Sequence, residues 1–309
     1  LAHANNDNQI AIREEGGIRL LVGLMRYAAT GEQSPGSWEH GGAIFDAAAS
    51  EEAQVKAVRA VGALSADAGN RECVREDGAL PLLAQLLAAS SSSAALQEAI
   101  ARCLWSLLLD PANQSALTSE GTHLQLVALI NFSPALSLRS ACAAALSQMV
   151  WQHRANQTAA LEGGAAAALV GLLRLRSEGL AATTPAPEET QRLAEEAEAR
   201  ANAATAVQAL CFANEPAQSR VREEGGIPLL VTMLNDTAPL LGSEAQREAA
   251  AAALWNLAID DGARVAIGDE GGAPLVASLL VPLLDDGNTM LSDPTAKLNA
   301  CRALRRMAI

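Results

Sequence analysis

The chain has 309 residues, of which 50% are apolar, 18% charged and only 3% aromatic, and its formal charge is −13. There is enough apolar matter for a core, so wholesale disorder is excluded. The acidic balance also counts against a general nucleic-acid binder, which needs a basic surface. Ala and Leu dominate the apolar set. They are the strongest helix formers, whereas strand cores draw on Val, Ile and aromatics, so an all-α chain is expected.

Taken from the N-terminus, the elements repeat. Asn8–Met25 reads NQIAIREEGGIRLLVGLM, and versions of the phrase return at Asn70–Leu87, Asn113–Ile130, Asn156–Leu173, Gln218–Leu234 and Ala263–Leu280. Aligned on the first glycine of the turn, the anchors are Gly16, Gly78, Gly121, Gly163, Gly225 and Gly271, spaced by 62, 43, 42, 62 and 46 residues. The basic unit is about 42 residues, inside the roughly 40–47 of helical repeats. Two units are longer by about 20 residues, at approximately 28–50 and 177–202.

Each unit has a physical reading. A short amphipathic helix runs from the Asn to the acidic pair. Glycine ends it because a sharp turn between helices needs a residue tolerant of positive φ. A second helix follows with apolar residues at helical spacing, as in Ile18, Leu21, Val22 and Met25. Pro228 and Pro274 fall in its first turn, where a missing N–H costs nothing. A third, Ala-rich helix is predicted at Val55–Ala66, Ala95–Leu109, Leu136–Val150 and Arg247–Ala258. In the second long unit it extends from about Pro187 to Ala213, roughly 40 Å at 1.5 Å per residue, and is expected to project past its neighbours. Predicted units are approximately 5–66, 70–109, 113–151, 156–213, 217–258 and 263–309, one solenoid over 1–309. Leu1–Asn5 reads as the tail of an earlier third helix and the last unit stops inside its own, so a piece of a longer array is expected.

Three helices, a glycine turn between the first two and a period near 42 residues resemble the armadillo repeat, over essentially the whole chain. The resemblance implies an all-α, right-handed superhelical solenoid whose third helices line a concave groove. Peptide-binding members such as nuclear-import adaptors carry a ladder there in which Trp precedes Asn by four residues. In this chain the Asn positions hold Ala66, Ser106, Gln148, Phe212, Asn256 and Arg306, and the Trp positions Gly62, Arg102, Ala144, Gln208, Ala252 and Arg302. Only Asn256 fits, so a repeated amide clamp is not expected. Trp105 and Trp255 sit one residue before the Asn position, on the helix shoulder, as packing residues or partner anchors. Arg102, Arg302 and Arg306 would bring positive charge to the groove, as a solvated face or a site for an acidic segment. Both insertions fall on one edge of such an array. Partner contacts are expected there, with Trp38 as an anchor and Phe45 beside it, since an aromatic in a Gly/Ser loop must find cover.

No reaction chemistry is legible. The Glu-Gly-Gly turns lack the strand and spacing of a phosphate cradle and recur in every unit. Cys73, Cys103, Cys142, Cys211 and Cys301 lie far apart in apolar helical contexts and read as reduced core thiols. His3, His40, His123 and His153 form no metal-ligand spacing. The longest apolar run, Ala273–Leu284, is broken by Pro282 and too short to span a bilayer. The expectation is a non-catalytic protein–protein interaction scaffold, with neither cofactor nor metal, that binds other proteins but neither nucleic acid nor membrane. Its expected setting is cytoplasmic, as a structural part of a large eukaryotic multi-subunit assembly such as a cytoskeletal or ciliary axoneme complex. The alternative is a soluble peptide-binding adaptor of the import or signalling type; a nucleic-acid binder or an enzyme is more remote.

Overall fold

The computed structural model describes residues 6–30, 51–89, 93–175, 187–235 and 244–272. Sixteen α-helices and no strand occur among them. They fall into triplets. The first is α1 (Asn6–Glu14), α2 (Gly17–Thr30) and α3 (Glu51–Leu64). The second is α4 (Ala68–Glu76), α5 (Ala79–Ala88) and α6 (Ala94–Leu107). The third is α7 (Pro111–Ser119), α8 (Thr122–Phe132) and α9 (Leu136–Val150). The fourth is α10 (Arg154–Glu162), α11 (Ala165–Leu173) and α12 (Pro187–Cys211). The fifth is α13 (Glu215–Glu223), α14 (Gly226–Asn235) and α15 (Glu244–Leu257), and α16 (Asp261–Asp269) follows.

The turn chemistry explains the boundaries. Asp67, Asp110, His153, Asn214 and Asp260 each cap a first helix by accepting a backbone N–H with the side chain. The first helix ends at a left-handed glycine: Gly16, Gly78, Gly121, Gly164, Gly225 or Gly271, with φ between 70° and 86°. The fourth anchor is thus Gly164, not Gly163. Gly163, at φ −73°, occupies the turn position that Asp77, Glu120, Glu224 and Glu270 fill elsewhere. The spacings become 62, 43, 43, 61 and 46.

The third helices pack side by side in the order α3, α6, α9, α12, α15. Small residues allow it. A side chain at Gly62 would come within 3.1 Å of the Cys103 Cα, so α3 and α6 touch almost backbone to backbone. Buried Ala141 and Ala145 on α9, and Ala199, Ala203 and Ala206 on α12, belong to the same core. The long α12 does not stand bare as expected. Leu193 is fully buried, and Glu196, Ala197 and Arg200 nearly so, so one face of the helix is covered from its second turn onward.

Buried amides tie the triplets together. Asn70, Asn113 and Asn156 donate back to the ends of the preceding third helices, at Leu64 O (2.9 Å), Leu107 O (3.0 Å) and Met149 O (2.8 Å). The glutamines reach forward within a triplet, from its first helix to its third. Gln9 donates to Ala63 O (3.2 Å), Gln114 to Gln148 O (2.9 Å), and Gln157 to both Ala209 O and Phe212 O (3.0 Å each). Carbonyls near a helix C-terminus have few partners within their own helix, and these side chains supply them.

A second link is charged. Arg13 pairs with the cap Asp67 at 2.9 Å, Arg75 with Asp110 at 2.8 Å and Arg222 with Asp260 at 2.9 Å. The caps His153 and Asn214 lack such a pair. His153 instead accepts the Asn156 N–H at Nδ1 and lies 3.0 Å from Ser115 Oγ through Nε2. Each of these two caps follows a residue with left-handed backbone, Gln152 (φ 53°) and Ala213 (φ 49°).

His123, at the start of α8, is buried with no partner for Nδ1 among the described residues. Burial lowers its pKa from the usual 6.5, and a hydrogen bond with the Thr118 backbone opposes that shift only in part. The unfolded chain therefore takes up this proton more readily than the fold. The stability from neutral His123 is complete above pH 6.5 and falls as the pH drops through the lowered folded value. Urea melts between pH 7.5 and 5 should show a shallower loss for His123→Gln than for the parent. Parallel curves would remove His123 as a source of the pH dependence.

Candidate functional site

The open side of the third-helix layer carries the exposed side chains best placed to meet a partner. On α6, Glu98, Arg102 and Trp105 follow one another at helical spacing, with Leu109 one turn beyond Trp105. Trp105 is 44% exposed and Leu109 46%. Trp255 on α15 is half-buried, and Ile259, just past that helix, is exposed.

The electrostatics differ from the expectation for Arg102. Its guanidinium pairs with Glu98 at 3.0 Å and lies 3.9 Å from Glu198 on α12. Glu98 also accepts from Ser137 Oγ on α9 at 2.7 Å. Two carboxylates around one cation leave this part of the face net negative, so it does not invite an acidic segment. α12 adds five glutamates against two arginines.

Asn256 is 1% exposed and donates to Gln208 O at 3.0 Å. Its amide joins α15 to α12 and is turned away from solvent. Two of the other Asn-ladder positions, Ala66 and Phe212, lie just past the ends of α3 and α12. Trp38, Phe45, Arg302 and Arg306 lie outside the described residues, as does most of the first insertion. On the edge where second helices lead into third ones, the described residues include Phe132 at the end of α8, 83% exposed. Sequence reading passed over it because it falls in helical register and nothing local marks it as uncovered.

Between α9 and α12 the face sinks into a hollow of about 220 Å³ lined by Ser147, Gln148, Trp151, Thr205, Gln208 and Ala209. Trp151 and Phe212 meet there with ring centroids 5.3 Å apart, tilted by 38°. The reason for a hollow is local. Ala209 on α12 is too small to fill the space between two long glutamines. A second hollow, of about 200 Å³, lies on the second-helix side among Arg19, Val22, Gly23, Arg26, Glu76 and Asp77, where opposite charges balance.

The four described thiols are not poised for chemistry, and Cys301 lies outside the described residues. Burial pushes Cys103 up to about 12 and raises Cys142 and Cys211 further, while Cys73 is raised by burial and then by Asp77. Among the described residues no three of His, Cys, Asp and Glu gather as metal ligands. No described helix is long and apolar enough to cross a membrane.

Residues 67–108, which span the cap of α4 to the end of α6, match the Armadillo/beta-catenin-like repeat. No curated protein matches the chain significantly. Solved structures similar to it include an engineered protein (TM-score 0.67, 22% identity, over 94% of this chain and 96% of that one). Designed armadillo repeat protein YIII(Dq)4CqI is also similar (TM-score 0.66, 19% identity, 94% and 99%). So is designed armadillo repeat protein YIII(Dq.V1)4CPAF, solved in complex with peptide (KR)4 (TM-score 0.63, 18% identity, 94% and 99%). At these identities the likeness concerns the fold. One armadillo repeat is thus matched at the second triplet, and the described helices share the fold of armadillo-repeat solenoids.

Proposed function

We propose that the protein is a non-catalytic scaffold that docks other proteins on its third-helix face. The observation that carries this reading is the face itself. Exposed Trp105 and Leu109, half-buried Trp255 and a hollow walled by Trp151 lie on one continuous layer of helices. Large apolar side chains left on one rigid face suit a partner surface better than bare solvent.

In its narrower form the scaffold is a fixed part of a large multi-subunit assembly, of the cytoskeletal or ciliary axoneme kind. Its support is the irregular groove. Asn256 is spent inside the protein and the neighbouring ladder positions are not Asn, so a partner would be read by local shape. A soluble peptide-binding adaptor is the second reading, favoured by the likeness to a designed protein that holds the (KR)4 peptide. Affinity capture from native extract, with the parent chain and a Trp105→Ala/Leu109→Ala double variant side by side, tests both. Proteins retained by the parent and lost by the variant are the expected result. Identical captures would remove the third-helix face from the function. Retention through a high-salt wash would favour the assembly, and release at modest salt the adaptor.

A further inference from the structure

We infer that the hollow between α9 and α12 is a specificity site that accepts an uncharged aromatic side chain from an extended partner segment, whose backbone is held by Gln148 and Gln208. The inference rests on the proposed docking face and adds what that face selects. Four observations support it.

The first is the state of the two amides. Gln148 and Gln208 are partly exposed on facing helices, and neither side chain is hydrogen-bonded among the described residues. Their backbones are fixed, because Gln148 O accepts from Gln114 at 2.9 Å and Gln208 O from Asn256 at 3.0 Å. Each amide presents donors and an acceptor, the complement of a peptide unit's C=O and N–H.

The second is the remaining polar lining. Ser147 Oγ donates to Ala144 O at 2.7 Å and Thr205 Oγ1 to Ala201 O at 3.0 Å. With their protons committed, both hydroxyls face the hollow as acceptors only. They suit the O–H of a tyrosine or the N–H of a tryptophan.

The third is size and wall. The volume, about 220 Å³, exceeds the roughly 150 Å³ apolar cavity that takes up benzene in an engineered protein. Trp151, braced by Phe212, supplies a ring surface on which an aromatic can stack or meet edge to face.

The fourth is charge. None of the lining residues is ionised, so a lysine or arginine placed in the hollow would lose water without gaining a carboxylate. The glutamates of α12 attract a basic partner to the face in general, but inside the hollow the selection is for a neutral ring.

The test is selection of a phage-displayed random nonapeptide library on the whole chain, in parallel with the hollow-filling variant Thr205→Leu, both checked by circular dichroism and thermal melting. The expected result is enrichment of Phe, Tyr or Trp at one peptide position, lost on T205L. Fluorescence anisotropy of a selected peptide should show about 30-fold weaker binding to Gln148→Ala/Gln208→Ala, the size of a typical hot-spot loss. A Lys/Arg consensus that depends on third-helix side chains but is unchanged by T205L would overturn the inference and leave the docking face standing. Aromatic enrichment indifferent to T205L and to the double glutamine variant would overturn it as well. No enrichment, or enrichment indifferent to Trp105→Ala and to every hollow variant, would overturn the docking face itself.

Discussion

Gln157→Leu is expected to destabilise the fold by about 3 kcal/mol, although it replaces one buried side chain by another of similar size. Gln157 is 2% exposed, and its single amide nitrogen serves Ala209 O and Phe212 O, each at 3.0 Å. Leucine removes both hydrogen bonds and leaves two carbonyls at the end of α12 facing an apolar group. An unsatisfied buried acceptor costs about 1–3 kcal/mol, so the pair sums to the stated size even if one carbonyl finds water. The effect should also be directional. Ala209 lines the hollow, so loosening the end of α12 should change the environment of Trp151. Urea denaturation gives the free energy, with Gln191→Leu as control. Gln191 is exposed and, among the described residues, bonds only Glu195 one turn away, so its loss should stay within about 0.5 kcal/mol. Equal losses at the two sites would show that the forward-reaching glutamines do not brace the first helix of a triplet to its third.

Leu104→Ala should cost about 2–5 kcal/mol, the range for a leucine truncated in a packed core. Leu104 is fully buried on α6. That helix packs between α3 and α9, so a cavity there faces neighbours that cannot collapse without shifting their own alanine seams. Because a solenoid is held by nearest-neighbour contacts, the damage should be local. Hydrogen exchange should quicken most in α4–α6, less in α3 and α9, and hardly at all in α13–α16. A uniform increase along the chain would mean that the array unfolds as one cooperative block.

The sequence made the repeat legible because its strongest signals are backbone requirements. The left-handed turn needs glycine at Gly16, Gly78, Gly121, Gly225 and Gly271 whatever the neighbours are, and the apolar stripe of α2 follows from helix geometry. The fourth turn misled by one residue because Gly163 and Gly164 are both permissive, and only the count of residues in the preceding turn decides between them. The Asn-Gln pair that opens three of the six repeats was visible as a pattern but carried no meaning. Its partners are carbonyls at the ends of helices, which carry no side-chain signature and in Gln157's case lie more than fifty positions away. The same blindness applied to Asn256, whose carbonyl partner belongs to α12. Arg102 was read as a lone cation although Glu98 stood one turn away in the sequence, while Glu198 comes near only through the packing of α12 beside α9. The hollow was illegible for a related reason: it is made of what Ala209 fails to occupy.

The two kinds of junction between triplets amount to a grammar of adjacency. The second triplet begins with an aspartate cap, Asp67, and offers Arg75 to the cap of the next, Asp110, so it carries both halves of one matching rule. A second copy of it could follow the first without breaking a pair. The fourth triplet obeys another rule. Its cap is His153, matched to Ser115, and its first helix sends Arg154 to the Ala213 carbonyl beside Asn214, at 3.0 Å, in place of a carboxylate. Set directly after α4–α6, it would place the Arg75 guanidinium opposite an imidazole in place of a carboxylate. The triplets are therefore not interchangeable beads, and their order along the chain is written into the pairs at their seams.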